Sequence, residues 1–314
     1  FKIKELSVDF DLYILIFNIL KDSDITNNPN IKIDFLEILN KDILNRELYQ
    51  GHSTDFSKEL SNIVNILPNL FSSAKDSYQN EEIYDLLYAS TMITNIINST
   101  LFKDTNYKYY FDKKMETGKK DVKKLLYHNI NSLQFCYDEV LTCLEKIKEE
   151  ENKEEPNLED ISVLKKKISQ YDYTLMMIAE FIEHFSKNYQ DILLSDEVKD
   201  SFSNIIIDIL TKYSDPIKDK YDILNKSGML YRHENICMFV VNVIINITYE
   251  PNIYDKFIKL LKKCDTYQSN LVIKIVDDNN LPLDNLQYYL MQDINDKIEK
   301  LEIVEDIDED VEIP

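Results

Sequence analysis

The chain has 314 residues, with 57 Asp and Glu against 36 Lys and Arg, a formal charge of -21 and a pI near 4.6. A field of that sign repels phosphate backbones, so binding of nucleic acid or an anionic membrane through a broad basic face is disfavoured. Only 3 Gly and 7 Pro are present, too few for the tight turns of a sheet-rich protein of this size, which leaves long helices joined by short links.

In chain order, apolar patterning predicts helices near residues 6–21, 30–40, 56–75 and 80–103, with Asn28-Pro29 marking the start of the second and Pro68 a kink or break in the third. The clearest period lies between Lys119 and Lys148, where Val122, Leu125, Leu126, Ile130, Leu133, Tyr137, Val140, Leu144 and Ile147 recur at three- and four-residue steps. A charged segment from Glu149 to Pro156 ends the pattern as a solvated hinge, because proline cannot sit in a helix interior. From Leu158 the rhythm resumes through Ile161, Leu164, Ile168, Tyr171, Leu175, Ile178, Ile182, Phe185 and Tyr189. Two such helices form an antiparallel hairpin over about 119–190. Further helices are expected near 195–214, 216–226, 233–249, 251–264, 267–277 and 283–302, with Pro216, Pro251 and Pro282 close to three of the starts.

So many apolar stripes on successive faces cannot share one centre, but they can stack. The pattern therefore predicts an all-α fold, an elongated α-solenoid of armadillo- or HEAT-like repeats over residues 1–301. The last segment, Glu302 to Pro314, carries seven acids in thirteen residues and reads as an acidic linker or tail.

Residues able to do chemistry are scattered. Cys136, Cys143, Cys237 and Cys264 form no CxxC pair, and no His lies at a metal-finger spacing from them. They read as small buried side chains in a reducing intracellular compartment, Cys136 and Cys143 sharing one helix face. Three isolated glycines exclude the glycine-rich phosphate loops. His52, His128, His184 and His233 include no HExxH, and His184, after Glu180 and Glu183, reads as a surface histidine near carboxylates. Asp138-Glu139 is the most tempting acidic pair, but adjacent helix residues diverge by ~100° and cannot serve as paired catalytic carboxylates. Tyr107-Lys108-Tyr109-Tyr110-Phe111 reads as packing between helices in preference to a peptide-binding platform. No apolar run reaches the roughly 18 residues of a membrane span, and no signal-peptide pattern opens the chain. No catalytic, cofactor or metal site is expected, and from the residues alone the chain is a helical scaffold.

Four strings stand out by their order: Asn28-Pro29-Asn30-Ile31-Lys32 with Phe35-Leu36-Glu37-Ile38-Leu39; Asn131 through Asp138 and Glu139 to Leu141; Leu194, Glu197, Ile206 and Leu210 to Pro216; and Glu312-Ile313-Pro314. Collinear from about Leu12 to Pro314, they resemble the core of the ubiquitin-chain elongation factors, which are U-box ubiquitin ligases. The first is similar to that family's N-P-Y-L-[RK]-x-x-L-V-E-V-L, with Asn30 at the tyrosine, and the second to N-D-x-x-x-L-L-D-E-x-L, with Ser132 at the aspartate. The third follows the spacing of L-R-P-E-L…M-L-N-x-N-L…G-P, with Ile207 and Ile209 at two asparagines and Asp215 at the glycine. Tyr254 stands where an R-S-Y string has its tyrosine, and the final string resembles the linker that leads into the U-box.

The resemblance implies a stack of armadillo-like repeats in a cytoplasmic and nuclear protein that extends ubiquitin chains on already ubiquitinated substrates for proteasomal degradation. The U-box, expected beyond Pro314, would recruit the ubiquitin-conjugating enzyme, and the valosin-containing AAA ATPase would be a partner. No cofactor is implied, and this stretch by itself would be catalytically silent. Its signature positions, Asn28, Pro29, Glu37, Asn131, Asp138, Glu139, Glu197 and Pro216, are read as structural. A chain opening at Phe1 without Met is expected to be a fragment. The competing reading is a non-catalytic α-solenoid adaptor or transport receptor that captures a peptide or helix on its concave face.

Overall fold

The computed structural model describes residues 15–16, 18–20, 29–44, 80–101, 105–117, 119–212, 233–264 and 267–301. The helices expected at 56–75 and 216–226, Pro68 and the acidic segment 302–314 lie outside these residues. All regular structure among the described residues is α-helical, packed helix against helix, which is compatible with the helical-repeat class expected. The chain divides into two compact units, Phe1–Leu193 and Leu194–Pro314.

The first unit contains α1 (Pro29–Leu44), α2 (Asn80–Leu101), α3 (Thr105–Thr117), α4 (Lys119–Glu151), α5 (Leu158–Asn188) and the short α6 (Gln190–Leu193). Residues 15–16 and 18–20 are also helical, with Ile16 and Leu20 buried. Pro29 opens α1, where its missing amide donor costs nothing. α2 packs between α1 on one side and the pair α5 and α4 on the other. In the middle layer every residue from Thr91 to Asn98 is buried, so α2 is enclosed on all sides over two turns. Apolar burial alone cannot satisfy the polar side chains there. Asn129 of α4 accepts hydrogen bonds at Oδ1 from Ser90 Oγ (3.0 Å) and Thr94 Oγ1 (2.9 Å). Asn95 donates to Asn40 Oδ1 (2.8 Å), and Asn98 to the Met177 carbonyl of α5 (3.0 Å). A polar seam thus fixes the register of three layers, since a one-turn slip would strand these groups.

The hairpin expected over 119–190 is formed by α4 and α5. All nine apolar positions read on α4 are buried. On α5 three positions differ. Leu158 is 77% exposed because it is the first residue of the helix and stands at the tip, while Leu164 and Tyr189 are only half-buried. The hinge is ordered rather than merely solvated. Glu150 pairs with Lys153 and accepts the Asn157 amide (3.0 Å), and Asn157 Oδ1 in turn caps the amides of Glu159 and Asp160. The helix α3 is absent from the sequence reading, which leaves 104–118 without an element. Only Phe111 and Met115 are buried among its described side chains, one turn apart, and two positions are too few to show a period.

The second unit contains α7 (Lys199–Lys212), α8 (His233–Thr248), α9 (Pro251–Lys263), α10 (Leu271–Asn279) and α11 (Asn285–Lys300). Here α8 packs against each of the other four helices. Pro251 sits in the first turn of α9 as expected. Pro282 does not start α11. That start is set two residues later by a capping box in which Asp284 Oδ1 accepts the Gln287 amide (2.8 Å) and Gln287 Oε1 the Asp284 amide (3.1 Å). With few glycines available, asparagine takes the left-handed positions, Asn270 (φ 62°) before α10 and Asn280 (φ 48°) after it. The Asn280 amide reaches the Asp277 carbonyl (3.3 Å) and the Leu281 amide that of Val276 (3.2 Å), which closes the helix end.

Candidate functional site

A cluster of ionisable side chains joins α3 to the end of α5. Lys108 and Asp112, one turn apart on α3, form an ion pair at 2.9 Å. The other Asp112 oxygen accepts the Tyr189 hydroxyl, and the Lys108 ammonium lies 5.9 Å from the centre of the Tyr189 ring. Beneath them Phe111 packs edge-on to Phe185 at 6.4 Å, and Phe185 touches Tyr189 at 5.2 Å. Both Asp112 oxygens are therefore engaged, and the aromatic contacts fasten α3 across the hairpin.

His184 stands at the edge of this clasp, 6.2 Å from the Tyr189 ring. Expected as a surface histidine near carboxylates, it is half-buried, with Lys108 and Lys187 as well as Asp112 acting on it. Burial first, then the charges of Lys108 and Lys187, push it down to about 4, against a smaller upward pull from Asp112. It is thus neutral at pH 7, able to accept or donate a hydrogen bond but carrying no charge. Among the described residues no group of three or more His, Cys, Asp or Glu is placed to hold a metal ion.

The cysteines follow the expected pattern of burial. Cys136 and Cys143 lie buried on the face α4 turns toward α5, and the Cys136 thiol is pushed up to about 12 by burial and then by Glu139. Cys237 in α8 is likewise pushed up to about 12, by burial and then by Glu234. Cys264 alone of the four is half-buried, its thiol 3.6 Å from Asn204 Oδ1.

The signature positions do not converge on one place. Pro29 and Glu37 are on α1, the latter half-buried. Asn131 and Asp138 are exposed on α4, and Asp138 accepts the Gln134 side chain at 2.9 Å. Glu139 is half-buried and turned toward Cys136 and Cys143, so the Asp138-Glu139 pair does diverge. Glu197 is exposed in the turn between α6 and α7, while Asn28 and Pro216 lie outside the described residues. The aromatic string 107–111 divides between roles: Phe111 is fully buried, whereas Tyr109 is 52% exposed with the Lys113 ammonium 4.5 Å from its ring centre.

The buried seam and the clasp escaped the sequence reading, because their partners are 35 to 79 residues apart in the chain. The one local signal was the run of Ser, Thr and Asn in α2, residue types that rarely occupy an enclosed helix without a partner. No family model matches the chain, and no curated protein matches it either.

Proposed function

We propose that the chain is a helical protein-binding scaffold, the core of a U-box ubiquitin ligase that elongates chains on already ubiquitinated substrates. The observation that carries this reading is the collinear order of the signature strings, on a chain whose described part is wholly helical. A transferase of that kind forms no covalent intermediate of its own. Its rate comes from holding the charged conjugating enzyme near an acceptor lysine, which turns an encounter into a nearly unimolecular step. The U-box of the whole protein would recruit that enzyme, and the helical core would dock ubiquitinated substrate and the valosin-containing AAA ATPase.

The test uses the whole protein with activating enzyme, conjugating enzyme, ubiquitin and a monoubiquitinated substrate. Lengthening of the chain on that substrate, lost when the helical core is deleted and the U-box kept, is expected. A whole protein that leaves the substrate unextended overturns the ligase reading. It would favour instead an adaptor or transport receptor, to which the mostly structural use of the Lys108, Asp112 and Tyr189 cluster lends support.

A further inference from the structure

The solvent face of α4 reverses its charge along its length. Lys120, Lys124, Asn131, Asp138, Glu145 and Glu149 are all exposed. At 3.6 residues per turn they fall within about 40° of one line along the helix. Tyr127, 41% exposed, lies on the same line. Along this line the helix is basic in its first two turns and acidic in its last two, and Lys120 stands roughly 44 Å from Glu149 at the usual helical rise. This concentration of lysine runs against the helix dipole, which favours acids in the first turn, and against a chain of net charge -21. Packing within the unit does not explain it, because these side chains point to water.

The positions are also related in pairs. Lys120 and Glu149, Lys124 and Glu145, and Asn131 and Asp138 are each centred on the same point, between Gln134 and Phe135. A two-fold axis at that point, perpendicular to α4, lays the helix antiparallel on a second copy of itself. Every lysine of the line then meets a glutamate, and each Asn131 amide meets an Asp138 carboxylate. Tyr127 falls opposite Thr142 and contributes aromatic area on either side of the axis. A face complementary to itself in this way is what an isologous contact requires, and alternating charges in this role select partner and orientation. Lys146 and Lys148, both exposed, are the like charges nearest the partner's lysine end, and each sits about 80° to one side of the line.

We infer that α4 is a self-association surface, through which two copies of this chain pair antiparallel about an axis near residues 134 and 135. The face is mostly polar and each copy carries -21, so the dimer is weak and weakens further as salt is raised.

Sedimentation equilibrium of the 314-residue chain tests this with two charge-reversed variants, Lys120→Glu with Lys124→Glu, and Glu145→Lys with Glu149→Lys. Circular dichroism of each verifies the fold. Each variant alone is expected to stay monomeric, with Kd raised at least tenfold. Mixed in equal amounts they are expected to form a heterodimer, because every reversed residue then meets an opposite charge. A wild-type chain that is monomeric at several hundred micromolar overturns the proposal. So does a dimer that survives either variant. Loss of the dimer in both variants without rescue on mixing also overturns it, since the lysine and glutamate ends would then meet other surfaces.

Discussion

Leu133 lies at the centre of the α4 stripe and is fully buried, while Leu158 opens α5 at the hairpin tip and is 77% exposed. The same substitution, leucine to aspartate, at these two sites separates burial from every other property of the change. At Leu133 the loss of the aliphatic side chain costs about 2–5 kcal/mol, as for other large-to-small core changes. The new carboxyl must then stay charged without a partner or take up a proton at a raised pKa, which adds about 1–3 kcal/mol. Leu133→Asp is therefore expected to cost ~3–8 kcal/mol, a large part of the roughly 5–15 kcal/mol that holds a domain folded. At Leu158 the carboxylate is hydrated and sits in the first turn of a helix, where negative charge is favourable, so the change stays within about 0.5 kcal/mol. Urea unfolding gives both values, and hydrogen exchange locates the damage. Protection in Leu133→Asp should fall first in α2, α4 and α5, which pack on one another. Equal destabilisation by the two variants, in either direction, would mean that the buried face of the hairpin has been assigned wrongly.

Three further outcomes follow from other parts of the molecule. Glu299 accepts the Tyr267 hydroxyl (2.8 Å), the Asn270 amide (2.9 Å) and Ser269 Oγ (3.1 Å); burial pushes its carboxyl up, but these hydrogen bonds outweigh it and hold the group below its usual 4.5. A depressed carboxyl stabilises the fold above its unfolded value and loses that contribution as pH falls through the folded one, so acid unfolding below pH ~4.5 should flatten in Glu299→Gln while neutral stability drops; parallel pH profiles for the two proteins would refute this. Asn129→Ala removes the acceptor shared by Ser90 and Thr94 and should cost about 2–4 kcal/mol in urea unfolding, whereas no change would mean that both hydroxyls have another acceptor. In native protein a thiol reagent should reach Cys264 first, with Cys136 and Cys237, both pushed up to about 12, reacting only on unfolding; early labelling of Cys136 would contradict its burial.

The helical class, the hairpin and the buried stripe of α4 were legible in the sequence because each rests on local information. A period of 3.6 repeated over eight turns leaves one face apolar whatever that face meets, and Pro29 and Pro251 mark helix starts through their own missing amide. What a side chain meets is not local. The sequence alone could not place α3, whose buried residues are few, nor delay the start of α10 to Leu271, which follows from the turn 267–270 being tied to Glu299 on α11. Nor could it show that Leu158 overhangs the tip while Leu164 is half-covered, since both satisfy the same period. His184 makes the same point in electrostatics. The glutamates and Lys187 lie near it in sequence, but its burial and the Lys108 and Asp112 charges come from α3, and burial with the two lysines outweighs Asp112 in keeping it neutral.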